Sequence, residues 1–161
     1  MAIISEFKKY ILDLLSVRKQ LPLVYVHRDF HVDNLFFLPQ RRGFKKCGWI
    51  DYQDTLVGSP VYDIMSLIED ARIDVNKEMT KYLLKYFLKK SDVIDHQSFN
   101  DSFRAIAIQR HLKVLGIFAR LYLRDQKPNY LKFIPRVLEM INQNLKSEKY
   151  KELRCLINDF L

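Results

Sequence analysis

Three short apolar segments between residues 23 and 50 place the strongest constraint on the fold of this chain. Residues 23–26 (LVYV) are apolar and rich in β-branched side chains, which is typical of a buried strand. Residues 35–38 and 47–50 are also apolar, and the segment at 39–43 between them (PQRRG) has the composition of a turn. The sequence therefore predicts a buried strand followed by a β-hairpin.

The remaining sequence has the apolar periodicity of helices. Apolar residues at helical spacing between 3 and 15 predict an amphipathic helix that ends before Pro22. Ser59 followed by Pro60 is a helix-start signal, because serine caps free amides and proline is tolerated in the first turn. Further helices are expected over residues 61–71, 79–87, 99–123, 131–145 and 148–160. We expect an α+β fold that is mostly helical, with residues 1–161 forming a single domain.

The composition fits a globular protein with one core. With 161 residues, of which 48% are hydrophobic and 13% aromatic, the chain can bury a sizeable core. The two cysteines form no CxxC pair and the histidines lack metal-ligand spacing, so neither a disulfide framework nor a structural zinc site is expected. Charged residues interrupt the apolar N-terminal segment, and no later run approaches the roughly 20 apolar residues of a membrane span. We expect a cytoplasmic protein with no membrane partner.

The net charge of +8 is spread along the sequence. Basic patches attract phosphate, so such a charge raises the question of a nucleic-acid partner. Residues 1–50 carry nine Lys/Arg and four Asp/Glu, the rest carry 18 and 15, and no arginine-rich block occurs. A basic groove for a nucleotide or an acidic sugar accounts for the charge equally well, and a lysine-rich solvated surface is its commonest cause. No nucleic-acid partner is expected.

The octapeptide HRDFHVDN at residues 27–34 matches the H-R-D-x-x-x-x-N catalytic-loop pattern of protein kinases at every fixed position. Phosphoryl transfer needs a carboxylate to orient and deprotonate the attacking hydroxyl, and a nearby carboxamide oxygen to hold Mg²⁺. Asp29 and Asn34 are of the right types for these roles. Asp51 follows the second hairpin strand, which returns beside the loop, and is the candidate for a further metal ligand.

A structural explanation exists for each of these residues taken singly. Asp29 and Asn34 are of types that often stabilise turns, and Asp51 is of a type that often satisfies loop backbone. However, four residue types at fixed spacing, each near 5% of usage, coincide by chance about once in 10⁵ start positions. The preceding strand and the following hairpin are the expected context of the motif. The combination favours a phosphotransferase site.

The same residues resemble the aminoglycoside phosphotransferase and choline kinase superfamily. The loop of that superfamily typically reads HxDxHxxN and is followed by an I-D-F/Y segment, and residues 27–34 and 50–52 fit both patterns. Residues 50–63 (IDYQDTLVGSPVYD) also resemble the family block IDxxDxxxGxPxxD. The resemblance implies the C-terminal lobe of a protein-kinase-like fold, which carries a small catalytic-loop β-hairpin. It further implies ATP as the phosphoryl donor and Mg²⁺ as the cofactor.

The resemblance also implies a role for individual residues. The roles are Asp29 as the catalytic base, Asn34 and Asp51 as Mg²⁺ ligands, and His27, Asp54 and Asp63 as supports of the catalytic and metal loops. His31 is either a contact to substrate or phosphate, or a hydrogen-bonding scaffold. Asp33, an extra carboxylate beside Asn34, is either a second metal ligand or a solvated loop acid.

Within the superfamily, the chain resembles bacterial N-acetylmuramate/N-acetylglucosamine anomeric kinases of cell-wall recycling. The resemblance is carried by residues 109–121 and 127–136 and extends over nearly the whole chain. It implies a small-molecule hydroxyl acceptor, an amino sugar. The same stretches also fit core-facing helices regardless of the substrate.

The sequence lacks the motifs with which kinases bind the phosphates of the nucleotide. Kinases cover the phosphates with a Gly-rich loop and pair them with a strand lysine, both in an N-terminal lobe. The chain has four glycines and no G-x-G, and residues 23–26 are too close to Met1 for a five-stranded lobe to precede them. We expect the N-lobe to be absent and catalysis to require a separately encoded one. The alternative is a non-catalytic remnant or binding module of a split kinase gene.

Overall fold

The structure, a computed structural model, describes residues 2–16, 21–91 and 95–159. The chain divides into two compact units: the loop unit, residues 21–95, and the helical unit, residues 1–20 and 96–161. The mostly helical α+β character with small antiparallel sheets is as expected. That residues 1–161 form one domain, and that this domain is a kinase C-terminal lobe, remain predictions.

Among its described residues, the loop unit has two separate two-stranded antiparallel sheets and two α-helices. Strand β1 (Val24–Val26) pairs with β4 (Leu56–Gly58), with Tyr25 opposite Val57. The predicted hairpin is β2 (Leu35–Phe37) paired with β3 (Cys47–Trp49). The helices of this unit are α2 (Val61–Ile68) and α3 (Lys77–Lys90).

The prediction that residues 23–26 form a buried strand is right about the strand but wrong about its burial. Val26 is buried, but Leu23 is 67% and Tyr25 84% exposed. The reason is that β4 is the one strand that pairs with β1 among the described residues, and its Leu56 and Val57 are also exposed. Strand β4 itself was not predicted, since three largely exposed residues leave no periodic pattern.

The start of α2 lies close to the predicted signal. Pro60 occupies the cap position, and the Ser59 hydroxyl accepts a hydrogen bond from the Val61 amide at 3.4 Å. The helix therefore begins one residue later than a serine cap would place it. Val61 and Met65 are fully buried one turn apart, so they fix the face of α2 that packs inward.

Among its described residues, the helical unit has four α-helices, α1 (Ala2–Ser16), α4 (His96–Leu123), α5 (Ile134–Asn144) and α6 (Lys151–Asn158). Helices α4 and α5 make the most extensive contact in the unit, and α1 packs against α4 and α6. Val137 and Ile141 on α5, and Leu145 directly after its last residue, are fully buried. Burying each contributes about 1.5–3 kcal/mol, so these residues are central to the core. Residue 160, the predicted end of the last helix, lies outside the described residues.

No helix among the described residues is long and apolar enough to cross a membrane.

Tyr150 in the helical unit gives a stability prediction. Its side chain is 6% exposed, and its hydroxyl is buried without a hydrogen-bond partner among the described residues. Burial, followed by the negative charge of Asp101, raises its pKa to about 12. Since an unsatisfied buried hydroxyl is unfavourable, Tyr150→Phe is expected to leave the free energy of unfolding unchanged or raise it by up to about 1 kcal/mol. Urea denaturation checks this, with exposed Tyr82→Phe as the control, and a loss of stability would contradict it.

Candidate active site

The carboxylate of Asp63, in the first turn of α2, holds the start of the predicted catalytic loop, residues 27–34. Its Oδ2 accepts a hydrogen bond from the His27 amide at 2.7 Å, and its Oδ1 accepts one from the Arg28 amide at 3.0 Å. Both carboxylate oxygens are therefore used on adjacent amides of one loop. Bonds from amides to a charged acceptor are stronger than neutral ones, so this arrangement fixes where the loop leaves β1.

The His27 side chain connects the loop to the end of β3. Its Nε2 donates to the main-chain carbonyl of Ile50 at 2.8 Å, and the ring is 2% exposed. It stacks on Trp49 with ring centroids 5.5 Å apart and meets the edge of Phe30 at 5.9 Å. Because a carbonyl only accepts, the proton must lie on Nε2. This bond holds Ile50, which precedes Asp51, next to His27, which lies two positions before Asp29.

Asn34 closes the loop on itself. Its Nδ2 donates to the main-chain carbonyl of Asp29 at 2.9 Å, its amide donates to the carbonyl of His31 at 3.0 Å, and its own carbonyl accepts from the Ile50 amide at 3.1 Å. The first bond assigns the carboxamide orientation, since only the NH₂ group donates. The Oδ1 atom is thereby left as the acceptor, and oxygen is the ligand type that Mg²⁺ requires.

Two residues of this region adopt left-handed backbone conformations, Arg28 with φ 77° and Asp51 with φ 67°. In the described ranges, Gln126 of the helical unit is the other non-glycine residue with positive φ. Such a conformation costs about 1–3 kcal/mol and is typical of functional sites. The Asp51 side chain is exposed, and its Oδ1 accepts a hydrogen bond from Gln53 Nε2 at 3.2 Å.

Asp54 contacts the loop through its main chain. The Arg28 guanidinium donates from Nη1 to the Asp54 carbonyl at 3.4 Å. Asp54 thus lies beside the residue that precedes Asp29. A supporting role for the Asp54 carboxylate stays a prediction.

The His31 ring lies against Asn34. Its Nε2 is 3.3 Å from Asn34 Nδ2. Because the carboxamide NH₂ group can only donate, the ring nitrogen accepts this hydrogen bond, and the imidazole is neutral. Burial and then the positive charge of Arg72 hold the pKa of His31 below its ordinary value, although nearby carboxylates oppose this. The side chain is 14% exposed. These contacts favour the scaffold interpretation of His31 over a contact to phosphate.

The donor set fits a Mg²⁺ ion that is bound together with a nucleotide. Among residues 2–16, 21–91 and 95–159, no group of three or more His, Cys, Asp or Glu side chains could hold a metal by itself. Mg²⁺ commonly takes one or two protein carboxylates and completes its shell with water and substrate phosphates. The exposed carboxylate of Asp51 and the Oδ1 atom of Asn34 meet this requirement.

The structure adds two residues that sequence reasoning missed, Asp70 and Arg72. Arg72 forms a two-pronged ion pair with the buried carboxylate of Asp70 and reaches Asp33 in the catalytic loop. The only local signal is the pair of opposite charges two residues apart just after α2. Nothing in that spacing points to a residue nearly forty positions earlier.

Comparisons with known proteins identify a matching family and several similar proteins. The model of the APH family, described as the phosphotransferase enzyme family, matches residues 3–97. Similar curated proteins are all named N-acetylmuramate/N-acetylglucosamine kinase. That of Caulobacter vibrioides is 39% identical over 138 residues, which cover 86% of this chain and 38% of the relative.

Two further relatives are equally similar. The protein of Neisseria meningitidis serogroup B is 40% identical over 84% of this chain and 40% of its own length. That of Pseudomonas aeruginosa is 40% identical over 80% of this chain and 38% of its own length. The chain therefore spans about two fifths of the curated relatives that it matches. Because the family model matches residues 3–97, more than half of the chain, the chain belongs to the phosphotransferase enzyme family.

Proposed function

We propose that this chain carries the catalytic and metal-binding part of an ATP-dependent kinase that phosphorylates a hydroxyl of an amino sugar. The observation that carries the proposal is the anchoring of one loop at three points. Asp63 holds its start, His27 ties it to Ile50, and Asn34 closes it on the carbonyl of Asp29. Positioning of this kind is the main contribution of a protein to phosphoryl transfer.

Asp29 is the proposed catalytic base. Its side chain is exposed, so it is open to a substrate, while its main-chain carbonyl is fixed by Asn34. The carboxylate accepts the proton of the sugar hydroxyl as the hydroxyl oxygen bonds to the γ-phosphorus. The bond between that phosphorus and the bridging oxygen then breaks, and ADP leaves with the electron pair.

Asn34 and Asp51 are the proposed ligands of Mg²⁺. When bound, the ion neutralises the charge of the phosphates during transfer. Asn34 contributes Oδ1 from a buried position, and Asp51 contributes a carboxylate from a left-handed turn at the end of β3. The hydrogen bond between the Ile50 amide and the Asn34 carbonyl keeps the two residues at one end of the hairpin.

The proposed acceptor is N-acetylglucosamine or N-acetylmuramate. The support is that the relatives, which are about 40% identical to this chain, are named as kinases of these two sugars. The proposed donor is ATP, and a separately supplied N-terminal lobe is the proposed partner, because kinases hold the nucleotide phosphates from that lobe.

The test is a phosphorylation assay with Mg-ATP and each sugar, followed by ³¹P NMR. The chain is assayed alone and mixed with the separately produced N-terminal part of the Caulobacter vibrioides relative. A sugar phosphate is expected in the mixture. Its absence, under conditions in which the complete relative is active, would reject the proposal.

A non-catalytic binding module is the second candidate. It is favoured by the exposed apolar side chains of the first sheet, Leu23, Tyr25, Leu56 and Val57, since such patches mark interaction sites. Calorimetry with Mg-ATP separates the two candidates. Tight binding of Mg-ATP to the isolated chain would count against a non-catalytic module.

A variant of Asp51 tests the metal site. Asp51→Asn keeps the size of the side chain but removes the negative charge that Mg²⁺ prefers, so the Mg²⁺ concentration for half-maximal activity is expected to rise about tenfold or more. The measurement is a Mg²⁺ titration of the activity. Glu78→Gln, which removes an exposed carboxylate from α3, is the control. An unchanged Mg²⁺ requirement in Asp51→Asn would exclude Asp51 as a ligand.

A further inference from the structure

Asp70, just after α2, is a buried anion that fixes the position of one arginine. Its side chain is 5% exposed. Arg72 donates to it three times, from Nε to Oδ1 at 3.1 Å, from Nη2 to Oδ2 at 3.0 Å and from the main-chain amide to Oδ1 at 2.7 Å. Burial alone would raise the pKa of Asp70, but the hydrogen bonds and charge of Arg72 bring it below the ordinary value. Asp70 is therefore ionised at neutral pH, and Arg72 is held in a two-pronged geometry.

The remaining terminal nitrogen of Arg72 reaches the catalytic loop. Its Nη1 is 3.2 Å from Oδ2 of Asp33. Asp33 lies in the 3₁₀ turn Val32–Asn34 and immediately precedes Asn34. The same Oδ2 is 3.8 Å from Nδ1 of His31, whose other ring nitrogen contacts Asn34. One carboxylate oxygen of Asp33 thus lies near both Arg72 and the His31 ring. Asp33 precedes Asn34 in the chain, and the His31 ring contacts the Asn34 side chain.

This contact gives Asp33 a specific ion-pair partner, Arg72. The Asp33 side chain is 61% exposed. Since exposed ion pairs add little to global stability, the contact is expected to act mainly on local order. Asp70 has already restricted the Arg72 side chain, so Asp33 meets a preoriented partner.

We propose that Arg72, held by Asp70, is a positioning residue that acts through Asp33 to fix the turn 31–34 and with it the metal-binding side of Asn34. In this proposal Arg72 acts through its ion pairs with Asp33 and Asp70, so it is a positioning residue. This inference rests on the proposed function in one respect, namely that Asn34 is a metal ligand. The ordering of the turn is independent of it.

The first experiment measures amide exchange with solvent by NMR in the full chain. In Arg72→Met, the amides of His31 and Asn34, which donate within the loop, are expected to exchange at least tenfold faster. The amides of His27 and Arg28, which Asp63 holds, are expected to keep their rates. Lys81→Met, which removes one exposed positive charge from α3 of the same unit, is the matched control and is expected to change none of the four.

Asp33 variants give the test a second route if Arg72→Met does not fold. Asp33→Asn removes the charge that meets Arg72 and is expected to reproduce the faster exchange at Asn34. Asp33→Glu keeps the charge at an exposed position and is expected to restore the rate to within about threefold of the unmodified chain, because a network contact depends on charge. Unchanged exchange in Asp33→Asn, or an equal increase at all four amides, would overturn the proposal.

The second experiment is kinetic and uses the mixture described for the phosphorylation assay. Arg72→Met is expected to lower kcat by about 10- to 100-fold while the KM for the sugar stays within about twofold, because misplacing a positioned group affects the transition state more than ground-state binding. An unchanged kcat with faster exchange at Asn34 would overturn the link to catalysis. Inactivity of the unmodified chain would reject the proposed function instead, and the exchange rates would then decide the positioning role.

Discussion

Replacing Asp29 by asparagine is expected to lower amino-sugar phosphorylation by about 10²–10⁴-fold, which is the usual contribution of a general base. Asparagine has nearly the same size as aspartate but accepts no proton at neutral pH. The main-chain carbonyl that Asn34 binds is unchanged by the substitution. The loop should therefore keep its structure while the chemical step fails.

The measurement is the initial rate of sugar-phosphate formation in the two-part mixture with Mg-ATP. The KM for the sugar is expected to change much less than kcat, because the substitution removes an interaction that acts in the transition state. Glu78→Gln removes a carboxylate from the exposed start of α3 and serves as the charge-matched control. If Asp29→Asn kept the rate of the unmodified chain, Asp29 would not be the base.

Replacing Asp63 by alanine is expected to lower the free energy of unfolding of the loop unit by about 2–4 kcal/mol. The substitution removes the acceptor of two main-chain amides, those of His27 and Arg28, at 2.7 and 3.0 Å. Both donors then lie partly buried without that partner. Arg28 is also held in a left-handed conformation, which the loop would relax once the anchor is gone.

Asp63→Asn is expected to lose nearly as much stability, because its NH₂ group would face a main-chain donor in place of an acceptor. Glu78→Ala, which removes an exposed carboxylate from the start of α3 in the same unit, is the control. Urea denaturation gives the free energy, and amide exchange at His27 and Arg28 reports the loop directly. A loss below about 0.5 kcal/mol in Asp63→Ala, which is within the usual range for surface substitutions, would show that the anchor is dispensable.

Local features of the site could be predicted from the sequence because they depend on neighbouring residues. Asp29 and Asn34 are five positions apart, and the hydrogen bond between the Asn34 side chain and the Asp29 carbonyl closes over that short distance. The hairpin was predicted for the same reason, since β2 and β3 face each other across one turn. A fixed local spacing largely determines such contacts.

Strand β4 and the exposure of β1 escaped prediction. A strand of three residues carries too little alternation to be separated from a loop, and Leu56 and Val57 are exposed although they are apolar. Burial depends on which surfaces of the chain meet, and in the part of the chain that the structure describes, β1 pairs with one strand, β4. The composition of residues 23–26 therefore indicated a strand correctly and its burial wrongly.

The sequence by itself determined the family of this chain and the residue types of the catalytic loop. The tertiary structure decided how the loop is held. The Asp63 carboxylate meets an amide 36 positions away, and the His27 ring meets a carbonyl 23 positions away. Arg72 reaches Asp33 in the same manner, which no local pattern indicated. Such contacts form between segments that are distant in sequence and become neighbours only when the strands and helices pack, so their partners follow from the fold and not from residue spacing.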